Sequence, residues 1–397
     1  MLNKVKSEFT SIFNEAPLIT RFAPGRVNII GDHTDYNGGY VFPTTLNIGT
    51  YIAGSSRKDK LVNVLALNFN QQIRFELNDI QHDTLHPWSN YIRGVYKVLL
   101  NKGYQLSGAN LVIGGNLPQG AGLSSSASLE LALLKLLDDL HHLLLDGTEA
   151  AKIGQATENE FVGCQCGIMD QMISAKGRAN SGMLLHCDTL QYEYIAIPKN
   201  AQLLVINSNI QRGLVDSEYN LRREQCEQAA QICKVGHLSE LNIDTLEEFE
   251  SALGALLFKR AKHVVSENLR VLELAEAIPE LDWTKISNVM RHSHASLRDD
   301  FAVSTRNMDI LVDIIDTALA GQGGVRMTGG GFGGCAVVLC EPNRKNAVIN
   351  AVLTEYLKLT GLQAEVYECK SVDGAFYTND SSSANIANVV ASKVVSN

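Results

Sequence analysis

The chain has 397 residues, 45% of them hydrophobic and 19% charged, and a formal net charge of −9. That length can bury a large core in two domains, while the acidic balance excludes a broad nucleic-acid surface, which needs a basic face. No apolar run is long enough to span a membrane: the best, "LELALLKLLDDLHHLLL" (129–145), is broken by Glu130, Lys135, Asp138 and Asp139. The N-terminal "MLNKVKSEFTSIF" lacks the apolar core of a signal peptide. Eight scattered cysteines without a C-x-x-C pair suit a reducing cytoplasm, and Cys164 and Cys166 stand too close in sequence for a structural zinc site.

From about 18 to 80 the pattern is strand-like, with "NIGTYIAGSS", "LVNVLAL" and "QIRFEL" separated by polar turns, and "ANLVIGG" (109–115) reads as a further strand. A glycine–serine loop follows, then about twenty leucine-rich residues from Ser124 that predict a largely buried helix. Thr148 is placed to cap a second helix running through about 163, and a third starts near Gly167. "AQLLVINS" (201–208) opens a second half richer in helices, at about 216–234, 246–277 and 284–320. It closes on strand, helix and strand at 335–340, 343–359 and 364–369. Grouped rather than alternating strands predict an α+β fold in two domains, 1–197 and 198–397.

The loop "PQGAGLSSSASL" (118–129) sits between a strand and a helix, the order that supports anion binding. Glycines let the backbone approach a phosphate, and the first helical turn leaves N–H groups unsatisfied. Yet the lysine of a P-loop is missing, the nearest being Lys135 well inside the helix. The helix dipole and a serine-held magnesium ion are the available substitutes. Farther on, Glu158 shares a helix face with Ala151, Gly154 and Phe161, so its carboxylate points inward and needs a partner such as a divalent cation. Asp170 falls in the first turn of the next helix. Taken alone, the two also read as an ion-paired glutamate and an acid at a helix N-terminus. In "RFAPGRVNIIGDHTDYNGGYVFP" (21–43), Arg26, Asp32, His33 and Asp35 crowd a turn-rich stretch and suit a polyhydroxylated ligand.

Together these segments resemble the galactokinase branch of the superfamily named for galactokinase, homoserine kinase, mevalonate kinase and phosphomevalonate kinase. "GRVNIIGDHTDYNGG" resembles the sugar signature, "LPQGAGLSSSASLE" the nucleotide loop and "RMTGGGFGGCAVVL" (326–339) the third, glycine-rich motif; "CGIMDQ" and "SEYNLRREQCE" add specificity. The resemblance implies an N-terminal domain like ribosomal protein S5 domain 2, a ferredoxin-like C-terminal domain and an active site between them. It implies phosphorylation of D-galactose at C1 by ATP, the first committed step of galactose utilisation (the Leloir pathway), in a cytoplasmic monomer.

In residues, the resemblance implies Asp170 as base with Arg26 beside it, and magnesium on Ser126 and Glu158. The nucleotide would lie on Gly120, Ala121, Gly122, Leu123, Ser124, Ser125 and Ser126, and the sugar against Asp32, His33, Thr34, Asp35, Gly167 and Tyr219. A kinase for N-acetylgalactosamine or a related sugar, or a galactose- and ATP-binding sensor, is the alternative; the intact serine loop and Asp170 favour an enzyme. "TGGGFGG" (328–334) is expected to pack against the nucleotide loop, and His292 and His294 to be surface or packing residues. One departure stands out: the signature usually reads G-E-H, and here it is Gly31-Asp32-His33. If the usual glutamate reads the C6 hydroxyl, the shorter aspartate falls back by more than about 1 Å, and Asp32→Glu is expected to improve galactose affinity.

Overall fold

The computed structural model describes residues 1–118, 120–210 and 215–378. After helix α1 (Leu2–Phe13), the strands β1 (Ile19–Asn28), β2 (Tyr40–Val41), β3 (Pro43–Ser56), β4 (Leu61–Ala66), β5 (Gln71–Glu76) and β6 (Ala109–Gly115) build the first half, with α2 (Ser89–Asn101) inserted before β6. Three helices follow, α3 (Ser125–His141), α4 (Gly147–Ala156) and α5 (Met169–Lys176), and then β7 (Ser181–His186) and β8 (Tyr192–Ala196). Five strands form a sheet in the order β1-β3-β6-β4-β5, and three form a second, β2-β7-β8. The leucines of α3 and the apolar faces of α2, α4 and α5 close one core over the larger sheet.

The second half opens on β9 (Gln202–Asn207) and α6 (Val215–Cys233), α7 (Ile243–Glu247), α8 (Glu250–Glu280), α9 (Trp283–Asp299) and α10 (Arg306–Leu319). It ends with β10 (Gly323–Thr328), β11 (Cys335–Cys340), helical turns over 345–360 and β12 (Glu365–Cys369). The sheet order is β10-β11-β9-β12, every pair antiparallel. In chain order within this half that is second, third, first, fourth, the arrangement of a ferredoxin-like sheet. The architecture is thus a two-domain α+β fold. Residues 370–376 return to the first half, where Ala375 bonds Ser174 and Phe376 joins the α3 core.

Three local expectations change. Asp146, not Thr148, caps α4, its carboxylate accepting the N–H groups of Thr148 and Glu149. The helix expected through 163 relaxes after Ala156 into a π-helical turn, Thr157–Val162, a wider coil often found at functional sites. The helix expected over 284–320 is two helices, because Arg222 bonds the carbonyls of Phe301 and Ala302 and Thr305 caps a fresh start. Among the described residues no helix is long and apolar enough to cross a membrane, and no two cysteines are joined in a disulfide.

Candidate active site

β1 brings the first functional side chain into place by an irregularity. Its register against β3 shifts between Pro24 and Arg26, and a bulge of this kind re-aims the side chain beside it. Gly25 permits it, since a Cβ there would meet Leu117 at 2.5 Å and the Leu123 carbonyl at 2.8 Å. The strand can therefore lie directly on the serine loop, where the Arg26 N–H bonds the Leu123 carbonyl at 3.2 Å.

Arg26 then reaches two ways. Its Nε and Nη2 each donate to one oxygen of Asp170 at 2.7 Å, and Nη1 donates to the Gly122 carbonyl at 2.7 Å. Burial alone would lower the guanidinium pKa, but Asp170 outweighs it and the net shift is upward. Ser124 has left-handed backbone (φ 58°) and does not cap α3; its hydroxyl instead hydrogen-bonds Asp170 Oδ2. The first-turn amides of α3 thus receive no side-chain cap from Ser124, which is the arrangement an incoming phosphate needs.

These groups line one side of a cleft of about 570 Å³, within the range of small-molecule sites. The cleft is walled by Gly120, Gly122 and Leu123 to Ser126 of the loop, by Glu158 and Asp170, and by Asp32, His33, Asp35, Gly167 and Tyr219. Gly329 and Gly330 complete it from the second half, and a Cβ on Gly329 would lie 3.6 Å from the Gly122 carbonyl. The third glycine motif accordingly meets the nucleotide-type loop backbone to backbone. Ala121 faces away into the core, where its carbonyl is 3.2 Å from Cys335 Sγ.

Thr34 departs from its expected role. Its hydroxyl lies 2.8 Å from the Gly31 carbonyl and 2.7 Å from the Tyr40 carbonyl, and it is buried outside the cleft. It closes the turn that presents its neighbours. Gly167 has a steric reason to be glycine, because a Cβ there would come within 2.0 Å of Asp35 Oδ2. Burial first, and the Asp170 charge second, push the Asp35 carboxyl up to about 6. His33 bonds the Tyr36 hydroxyl through Nδ1 at 2.9 Å, and burial, then His263 and two arginines, hold its pKa well below the ordinary value. Tyr219 on α6 stands 5.5 Å from the His33 ring and 5.4 Å from the Tyr36 ring, making an aromatic wall beside the acids.

Asp32 is held more tightly than its sequence position suggests. Asn28 donates to Oδ1 at 3.0 Å, and Arg326 of β10 donates to Oδ2 at 2.5 Å. Arg326 also donates to Ser293 at 2.9 Å and to the Ile29 carbonyl at 3.2 Å, with Glu267 of α8 at 3.8 Å. Burial raises the Asp32 carboxyl and these partners offset only part of the rise, whereas at Glu267 burial is outweighed by Arg270 and Arg326, leaving it near 2. Sequence reasoning missed Arg326, Glu267 and Ser293, and also Tyr91, an aromatic at the start of α2 that lines the cleft. Only the invariable need of a buried carboxylate for a partner could have hinted at the first two. His292 is exposed and His294 is buried against Asp309 at 3.2 Å, as packing residues would be.

Two stretches of this chain match the N-terminal (residues 90–178) and C-terminal (residues 274–359) domains of the GHMP kinases. The Leishmania major mevalonate kinase solved with R-mevalonate is 16% identical, over 90% of this chain and 99% of that one, with a TM-score of 0.61. The Streptococcus pneumoniae phosphomevalonate kinase gives 14%, 88%, 100% and 0.61. Such likeness is one of fold, and with the domain matches it defines the class as a GHMP kinase. Residues 7–56 match the galactose-binding signature of galactokinases. Lactococcus lactis galactokinase, solved with galactose, is 35% identical over 94% of this chain and 98% of its own, with a TM-score of 0.88. The chain belongs to the galactokinase family and is a sugar kinase.

Proposed function

We propose that the protein transfers the γ-phosphoryl group of ATP to the C1 hydroxyl of D-galactose, giving α-D-galactose 1-phosphate and ADP, as a cytoplasmic monomer opening galactose utilisation. The observation that carries this reading is the position of Asp170. It sits in the first turn of α5, gripped on both oxygens by Arg26, where the serine loop and the acidic sugar-signature residues meet.

Phosphoryl transfer asks little covalent chemistry of a protein beyond alignment and charge stabilisation. Asp170 accepts the proton of the attacking C1 hydroxyl, and Arg26 holds the carboxylate in place and offsets its charge beside the phosphates. Gly120 to Ser126 and the first turn of α3 cradle the phosphates. Asp32, His33, Asp35, the backbone at Gly167 and Tyr219 orient the sugar.

Magnesium fits the residues present. Glu158 is buried and takes hydrogen bonds from Ser126 and from the Gln171 amide, with Arg26 as a favourable charge nearby. Burial first, then the Asp170 charge, push its carboxyl up to about 7, and a bound divalent cation would offset both. Among the described residues no three His, Cys, Asp or Glu side chains group as a metal cage. That suits a magnesium ion taking one or two protein oxygens and completing its shell with phosphate and water. Ser126 and Glu158 would hold it, and it would neutralise charge on the β- and γ-phosphates.

The test is ADP release with magnesium-ATP across a panel of hexoses. Turnover with galactose is expected to lead. A lead for N-acetylgalactosamine would move the assignment to that sugar, and binding of galactose without turnover would make the protein a sensor.

A further inference from the structure

Behind the cleft lies a buried polar cluster that the mechanism does not use. Gln171 follows Asp170 on α5, points into the interior and is fully buried, outside the cleft lining. Its Nε2 donates to Glu158 Oε1 at 3.0 Å and lies 3.5 Å from Oε2 of Glu130, a fully buried glutamate in the second turn of α3. Glu130 is four residues beyond Ser126 and so shares its helix face. Gly154 of α4 leaves the room, since a Cβ there would come within 2.9 Å of Gln171 Cγ and 3.2 Å of Glu130 Oε2. One glutamine amide therefore joins the serine helix, the π-helical turn and the helix of the base.

Two atoms in this cluster have no hydrogen-bond partner among the described residues, Oε1 of Glu130 and Oε1 of Gln171. Both are acceptors if Glu130 is ionised, which would leave two buried oxygens unsatisfied. If Glu130 carries its proton, its O–H adds a donor to the cluster and one fewer acceptor is left unsatisfied. Burial, then the charge of Glu158, hold the Glu130 carboxyl well above the usual carboxylate range, in agreement.

We propose that Gln171 is a positioning residue for Glu158, fixing Oε1 from behind the cleft with Glu130 as its buttress, so that the carboxylate is presented ready-oriented to a metal. The inference rests on the reading of Glu158 as a magnesium ligand. A carboxylate on an irregular turn is the ligand most in need of such support, because no regular helix sets its direction. Loss of an outer partner to a metal ligand typically weakens metal binding 10- to 100-fold.

The experiment measures Mn²⁺ binding by electron paramagnetic resonance to the protein with a non-hydrolysable ATP analogue, beside galactose binding by calorimetry without metal. Gln171→Met, close in volume, is expected to weaken Mn²⁺ binding by roughly 10-fold or more while leaving galactose binding within about 2-fold. Glu130→Gln, which keeps a donor, is expected to retain near wild-type Mn²⁺ binding, and Glu130→Met to lose part of it. Unchanged Mn²⁺ affinity in folded Gln171→Met, whatever its unfolding midpoint, would overturn the proposal and leave Gln171 a packing residue. Should that variant not fold, Gln171→Asn, which withdraws the amide by one methylene, is read the same way. Glu158→Gln separates the two readings: if it leaves Mn²⁺ binding unchanged, the ligand assignment itself fails, whereas weakened binding there with normal binding in Gln171→Met refutes only the positioning role.

Discussion

Two buried arginines, each on a strand and each holding an aspartate, do opposite work in this molecule. Arg26 grips Asp170 with a two-pronged contact, and the Asp170 side chain keeps 25% of its surface exposed to the cleft. Arg326 bonds Asp32 through one nitrogen and spends the others on Ser293 and the Ile29 carbonyl, with side-chain exposures of 0% and 3% for the pair. The first pair leaves its carboxylate facing the cleft, as the proposed base must be. The second seals the sugar loop of the first half against β10, α8 and α9 of the second. An ion pair open to a cleft is built to react, and a closed one to hold shape.

The sharpest way to break this contrast is Asp170→Asn, which keeps shape and is expected to lower turnover by roughly 10²–10⁴-fold with ATP binding nearly unchanged. Turnover like the wild type would remove Asp170 from the chemistry. Next, Arg326→Met strips the cation from Asp32, leaving it the Asn28 amide, and leaves Glu267 with Arg270, the Ser293 hydroxyl and the Gly31 N–H. Breaking a buried pair in this way costs about 3–5 kcal/mol, to be read from the urea midpoint. A loss below about 1 kcal/mol would show that the closed pair does not hold the two halves together.

Asp32→Glu tests the tightness of that closed pair. Because Arg326 already stands 2.5 Å from Oδ2 and Asn28 3.0 Å from Oδ1, an added methylene must displace one of them. The expectation from sequence is thereby reversed: overpacking of about 1–3 kcal/mol and weaker galactose binding are expected. Michaelis constants for galactose and 6-deoxygalactose decide it, and improved affinity for galactose alone would restore the C6 reading.

The smallest effect concerns Asp35 in the ligand-free protein. Its carboxyl is raised to about 6 from 3.8, so the folded state holds the proton more tightly than the unfolded. Its contribution to stability is fully present below about pH 4 and is lost as pH rises through about 6. Partial exposure limits this to on the order of 1 kcal/mol. Asp35→Asn is expected to flatten that part of the stability–pH curve, and an unchanged slope would refute it.

The serine loop, the acid at the start of α5 and the sugar-signature loop were legible as features because each follows from neighbouring residues and local rules. Glycines at 120 and 122, serines at the start of a leucine-rich helix and an acid in a first helical turn need no distant partner to be recognised. Thr34 misled for the same reason. In a polar turn, the sequence does not say which side chain faces a ligand and which closes the turn on itself. The π-helical turn was equally hidden, since Ala151, Gly154 and Glu158 keep helical spacing on either side of the change.

What the sequence alone determined, then, is the class of chemistry and the order of its parts. Periodicity, capping and loop composition act over a few residues and can be read from them. Only the tertiary structure decided which carboxylates face the cleft and which are sealed. Asp170 and Arg26 are 144 positions apart and Asp32 and Arg326 are 294 apart, so neither pairing exists until the strands are docked. Burying a charge demands a partner, but the demand is met by whichever cation the fold brings near, and that choice belongs to packing across the whole chain.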